Sequence, residues 1–222
     1  MISDLDKSTN SSGLWLQLLQ KYRAIAVIRS PQLKLGLAMA KAVAQGGMGL
    51  IEVTWNSHQA AELISQLRSE LPSCTIGTGT ILSIDQLREA IACGSQFFFS
   101  PHVNLRLIQA AVAEYNVPIV PGALSPTEIT SAWQAGASCV KVFPIQAVGG
   151  ASYIKSLQGP LGQIPLIPTG GVTLENAKAF LEAGAIAVGL SGQLFPEQLV
   201  AARDWKAIAL RAETLHQRLY KQ

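Results

Sequence analysis

Two isolated charges of opposite sign stand inside runs that otherwise favour β-strand. Leu50-Ile51-Glu52-Val53-Thr54-Trp55 alternates, with Ile51, Val53 and Trp55 on one face and Glu52 and Thr54 on the other. Cys139-Val140-Lys141-Val142-Phe143 alternates likewise, with Val140 and Val142 on one face and Lys141 opposite. Of the nine lysines and fourteen acidic residues, only Lys141 and Glu52 fall within a predicted strand. If the apolar faces meet covering helices, both charges point into one interior. A buried structural ion pair is the competing explanation, but it is a poor route to stability. A lysine amine has an ordinary pKa of about 10.4, and desolvation lowers it. The neutral amine adds to a ketone, and the resulting protonated imine draws electrons out of a neighbouring carbon–carbon bond. A carboxylate within reach, directly or through one water, moves the protons of those steps, which is the part assigned to Glu52.

Further polar residues gather where strand runs end. Arg29 closes the first run; a guanidinium matches a carboxylate with two parallel hydrogen bonds, although a lone arginine there is equally ordinary surface. Thr78-Gly79-Thr80 adds hydroxyls and a glycine that permits close approach. Thr169-Gly170-Gly171-Val172-Thr173 bares backbone N–H groups before a helix expected to open at about Thr173, and Gly189-Leu190-Ser191-Gly192 follows the next run. Either loop alone reads as a tight turn. Together, after the last two strands of a barrel, they read as a phosphate cradle. His58, His102 and His216 show no metal-ligand spacing, so no metal is expected. Cys74, Cys93 and Cys139 are an odd set without paired spacing and read as small buried thiols. Trp15, Trp55, Trp133 and Trp205 fall on packing faces.

Positioning these groups requires a repeated strand–helix unit. Eight β-favouring runs are found: Ala24–Arg29, Gly49–Trp55, Thr75–Thr80, Gln96–Ser100, Pro118–Pro121, Cys139–Phe143, Pro165–Pro168 and Ala185–Leu190. They recur about every 23 residues, enough for a strand and a crossover helix. Leu35–Gln45, Ala60–Leu71, Ile84–Ala92 and Leu174–Ala183 place apolar residues three and four apart, giving each helix one buried stripe. Gly46-Gly47, Gly94, Gly136 and Gly184 stand where left-handed helix ends are wanted. The pattern predicts a (β/α)8 barrel rather than an open doubly wound sheet, as one domain over residues 1–222. Ser12–Tyr22 is expected as an added N-terminal helix under the barrel, after a frayed start over 1–11, and Glu197–Tyr220 as the closing helical segment.

Composition bounds the function. Apolar residues make up 49% and charged residues 14%, which excludes a disordered chain. The net charge of +3 is too small and too scattered for a nucleic-acid binder. No apolar stretch reaches the roughly 20 residues of a membrane-spanning helix. The first residues match neither a secretory signal nor a transit peptide, so a cytoplasmic protein is expected.

With these residues in place, the chain resembles the bacterial 2-keto-3-deoxy-6-phosphogluconate (KDPG) aldolase family, also active on 4-hydroxy-2-oxoglutarate (KHG). The likeness runs from about residue 22 to residue 196. It rests on IEVTW around Glu52, GTGT at Gly77–Thr80, SPH at Ser100–His102, VPGALSPTE at Val120–Glu128, VKVFP around Lys141, PTGGV at Pro168–Val172 and the GLSG turn. The resemblance implies a class I aldolase without metal or other cofactor, usually a homotrimer, acting on a small phosphorylated keto acid. It implies that Lys141 is the Schiff-base lysine and Glu52 the acid–base glutamate. It sets Thr80 near the pyruvate carboxylate, Pro101 and Phe143 in the pocket wall, Thr169 as a pocket hydroxyl, and Gly170, Gly171 and Ser191 on the phosphate. Some members carry arginine where Asn56 stands here, whereas others place it at the end of strand one, as Arg29 does; carboxylate recognition is expected to rest on Arg29. The 6-phosphogalactonate epimer and 4-hydroxy-2-oxoglutarate are the alternative substrates. A phosphate-binding barrel enzyme that forms no imine is the more distant rival.

Overall fold

Eight short parallel strands carry the chain round a barrel: β1 (Ala24–Ile28), β2 (Leu50–Thr54), β3 (Thr75–Gly79), β4 (Phe98–Ser100), β5 (Ile119–Ala123), β6 (Val140–Val142), β7 (Leu166–Pro168) and β8 (Val188–Leu190). The computed structural model describes residues 10–220. Successive strands pair in order from β1 to β7, and β1 also pairs with β8 through Ala24↔Val188, Ile25↔Gly189 and Ala26↔Leu190. The circle closes more loosely between β7 and β8, by a Thr169↔Gly189 bridge and an Ile186 N–H donating to Leu166 O at 3.1 Å. The predicted (β/α)8 architecture is the one observed.

These strands form because both faces are buried, which selects small and β-branched residues. Their outward residues, among them Ile51, Val53, Ile76, Val140 and Val142, join the layer shared with the helices. That layer is built by α2 (Leu33–Gln45), α3 (Ala60–Glu70), α4 (Ile84–Ala92), α5 (Leu105–Gln109, continued by a π-helical turn over Ala110–Glu114), α6 (Pro126–Gln134), α7 (Ala151–Leu161) and α8 (Ala177–Glu182). Caps set several helix starts. Ser125 accepts the Glu128 N–H while the Glu128 carboxylate accepts the Ser125 N–H at 2.8 Å, and Pro126 occupies the first turn of α6. The Ser125 and Leu124 N–H groups, both donating to that carboxylate, hold it below the usual carboxylate range. Gly47, Gly94, Gly136 and Gly184 end the preceding helices with φ between +90° and +104°, as their placement predicts.

The barrel's lower interior is apolar and closed. Ile25, Leu50, Phe99, Val120 and Ile167 fill it from five strands, together with Phe97 just before β4. Helix α1 (Asn10–Tyr22) lies across its floor. Trp15 stacks on Phe97 with ring centroids 4.6 Å apart and meets Phe99 edge-on at 6.4 Å. Its indole N–H donates to Cys139 Sγ at 3.3 Å, and burial pushes that thiol up to about 12. Gly77 makes room for the plug, since a Cβ there would overlap the Phe97 ring.

Several boundaries differ from expectation. Helix α1 begins at Asn10, so Ser11 is not frayed; its hydroxyl donates to Asn116 Oδ1 at 3.1 Å. The remainder of the predicted frayed start, residues 1–9, lies outside the described residues. Helix α8 opens at Ala177 rather than near Thr173. Thr173 Oγ1 accepts the N–H groups of Glu175 and Asn176, and Asn176 Oδ1 accepts the Thr173 N–H, which turns residues 174–176 into a capping loop. The closing segment is two helices, α9 (Glu197–Ala201) and α10 (Trp205–Tyr220), broken at Arg203 with φ +52°. Cys74 and Cys139 are buried as expected, whereas Cys93 is only half-buried. No helix among the described residues is long and apolar enough to cross a membrane.

Candidate active site

A cavity of about 760 Å³ opens at the C-terminal ends of the strands, directly above the apolar plug. All ten residues selected from the sequence line it: Arg29, Glu52, Thr80, Pro101, Lys141, Phe143, Thr169, Gly170, Gly171 and Ser191. Alternation accounts for this convergence. Along β2, Ile51 and Val53 pack outward, so Glu52 and Thr54 face in; along β6, Val140 and Val142 pack outward, so Lys141 faces in.

Glu52 is 2% exposed. Burial raises its pKa, and the nearby Lys141 and Arg29 charges oppose that rise without cancelling it. Neither cation approaches its oxygens within the 4.0 Å of an ion pair, so the three charges face one another across open space. Lys141 is half-buried rather than buried, which corrects the expectation of full burial. Strand β6 is three residues long, and the amine emerges beside two aromatic faces, 4.6 Å from the Phe143 ring centre and 5.9 Å from that of Phe99. Phe143 itself is 38% exposed and forms a wall open to solvent.

Arg29 is exposed at the rim. Its neighbour Ser30 is pinned: the Ser30 N–H donates to Ser57 Oγ at 3.1 Å, Ser57 Oγ lies 3.2 Å from Thr54 Oγ1, and the His58 N–H donates to Ser30 O at 2.9 Å. The segment after β2 thereby fixes the loop after β1. Of the two hydroxyls expected after β3, only Thr80 reaches the cavity, at a φ of +62°. Thr78 is fully buried and its hydroxyl donates to Val53 O at 2.8 Å.

Across the cavity, Gly170 and Gly171 have φ of +80° and +102°. The loop after β6 presses on them, with the Ile145 N–H donating to Thr169 O at 2.9 Å and the Gln146 N–H to Gly170 O at 3.0 Å. Gln146 and Gln193 also line the cavity and were missed. Neither sits in an alternating run, so only their nearness in sequence to Phe143 and Ser191 marked them. Asn56 and His102 are exposed and do not line the cavity. Among the described residues no group of three or more His, Cys, Asp or Glu is placed to hold a metal ion.

A strand-six lysine facing a buried glutamate under two glycine loops matches one family model, that of the KDPG and KHG aldolases, over residues 16–210. The chain belongs to that family. The KDPG and KHG aldolases are class I aldolases, carbon–carbon lyases, and this chain is one of them. It is 33% identical over 200 residues to the 2-dehydro-3-deoxy-phosphogluconate aldolase of Treponema pallidum, covering 90% of this chain and 95% of that one. Among solved structures it is similar to the KDPG aldolase of Legionella pneumophila, with pyruvate captured at low pH as a covalent carbinolamine (27% identity, TM-score 0.83, 90% of this chain and 97% of that one). It is also similar to a structure described as native KDPGal (31% identity, TM-score 0.78, 88% and 94%).

Proposed function

We propose that this aldolase splits 2-keto-3-deoxy-6-phosphogluconate reversibly into pyruvate and glyceraldehyde 3-phosphate through an imine on Lys141. The observation that carries the reading is the convergence of Lys141, Glu52 and Arg29 on one cavity, with Glu52 buried and kept apart from both cations. The carbinolamine in the Legionella relative supports the same chemistry.

Lys141 Nζ adds to the C2 carbonyl, the carbinolamine loses water, and a protonated imine forms. Glu52 takes the proton of the C4 hydroxyl as the C3–C4 bond breaks; the bonding pair moves into the imine to give an enamine, and C4 leaves as the aldehyde. Return of a proton to C3 and hydrolysis of the imine release pyruvate and the free amine. A carboxyl raised by burial suits this alternation of accepting and giving a proton. Arg29 takes the substrate carboxylate, with Thr80 beside it, and Pro101 and Phe143 form the wall. Thr169, Gly170, Gly171 and Ser191 hold the phosphate at the opposite end. The phosphogalactonate epimer is the second reading, supported by the likeness to the structure described as native KDPGal.

The proposal takes the chain as a single barrel domain, without resident metal or cofactor, working in the cytoplasm as a homotrimer. Leu82, in the loop after β3, and Leu105, at the start of α5, are 48% and 49% exposed and form apolar surface that such an assembly would cover.

Borohydride reduction in the presence of pyruvate, followed by peptide mass spectrometry, tests the mechanism. A reduced adduct on Lys141 alone is expected. No adduct, or one spread over surface lysines, overturns it, and comparing the two phosphorylated epimers then decides the substrate.

A further inference from the structure

Strand β3 presents glycine at two successive inward positions, and the upper one touches the carboxyl that the proposed chemistry needs. Gly79 does not have a positive φ, so its backbone suits any L-residue and the constraint comes from space alone. A Cβ there would overlap Glu52 Oε1 and stand 2.5 Å from Cδ and 3.1 Å from Cγ; real Cβ atoms essentially never come within 3.0 Å of such neighbours. Register makes the contact more telling. Glu52 pairs across the ladder with Gly77 and Thr54 with Gly79. The slot at Gly77 is already filled by the Phe97 ring of the plug. The Glu52 side chain therefore leans one pair upward, toward the mouth, and lies where a side chain at position 79 would be.

The geometry points to Gly79 as a positioning residue for proton transfer: its missing side chain is the slot that fixes the Glu52 carboxyl against β3. The inference rests on the imine reading above and deepens it. Alanine at 79 displaces the carboxyl by about the width of a methyl group while leaving Lys141, on the other side of the barrel, free to form its adduct.

Pyruvate alone is the probe. Borohydride trapping reports the imine. Enzyme-accelerated exchange of the methyl hydrogens with D2O reports the next step, in which C3 loses a proton to the base and the enamine takes a deuteron back. Gly79→Ala is expected to slow exchange about 100-fold, the cost of an ångström-scale misplacement, while the end-point adduct stays on Lys141. A shorter acid makes room. Glu52→Asp placed in the Gly79→Ala background is expected to exchange about fivefold faster than Gly79→Ala alone, whereas Glu52→Asp in the parent is slower than the parent. Exchange within about threefold of the parent, or a loss that Glu52→Asp leaves uncorrected, overturns the inference. Absence of an adduct from the parent defeats the imine reading itself, and this inference with it. Should Gly79→Ala fail to fold, Glu52→Ala joined to Gly79→Ala reads the same contact by thermal melting: recovery of the fold supports the slot, and continued failure overturns it.

Discussion

The two ends of the barrel interior are built from the same strands and do opposite things. On β3, two residues apart, Gly77 admits the Phe97 ring and Gly79 admits the Glu52 carboxyl. Below, Phe97 stacks on Trp15, Phe99 meets it edge-on, and the buried indole donates to a buried thiol. Above, a carboxyl and two cations share a cavity of about 760 Å³ without closing on one another. The lower end spends its burial on packing, while the upper end leaves charges unpaired where a substrate can complete them. Phe99 belongs to both: its ring packs edge-on against Phe97 at 5.9 Å and lies under the Lys141 amine. Stability and reactivity are thus separated by about one layer of side chains.

That contrast is most sharply tested at Lys141. Lys141→Ala is expected to lower kcat/KM by about 10⁴-fold or more while leaving the melting temperature nearly unchanged, since the side chain is half-buried and, among the described residues, makes no hydrogen bond. Calorimetry beside steady-state kinetics checks both halves. The converse variant is Trp15→Ala, expected to cost about 3–5 kcal/mol of stability, read from denaturant melts, with kcat within about fivefold of the parent. A large loss of kcat with the fold intact would break the separation. Glu52→Gln is expected to slow turnover by about 10²–10³-fold. Its effect on stability has the opposite sign. Because burial raises the folded-state pKa of Glu52 above the ordinary 4.5, the parent loses stability as pH rises from that value through the folded one. Glutamine cannot ionise, so the variant should melt higher than the parent at neutral pH, and the gap should vanish below about pH 4.5. A pH series of melts reads it directly. The smallest effect is expected for Arg29→Ala: about 10–100-fold in KM for the keto acid, with little change in kcat and none in melting temperature.

Much of this division was legible in the sequence. A charged residue between β-branched apolar neighbours has one face to go to, so Glu52 and Lys141 were visible once the strands were, and the glycine loops marked themselves by their position after the last two strands. What stayed hidden depended on distant partners. Whether the Thr78 hydroxyl faced the cavity was decided by Val53 O on the neighbouring strand β2. The late start of α8 followed from the reciprocal bonds of Thr173 and Asn176, and the break before α10 from a left-handed Arg203. Gln146 and Gln193 stand on loops, where no periodicity reports direction. The half-exposure of Lys141 follows from the shortness of β6, and strand ends are the least certain feature of any pattern.

The seam between β7 and β8 governs how the molecule comes into being. Strand β1 must wait for β8, the last strand to be made, because that pairing spans most of the chain and bears the corresponding loop-closure cost. The Gly170-Gly171 and Ser191-Gly192 loops stand on either side of the seam, and Thr169 and Gly189 form its bridge. A partly wound chain therefore holds the lysine and the glutamate but no enclosed chamber for a sugar acid, and the final zipping of the barrel and the birth of the catalyst are one event.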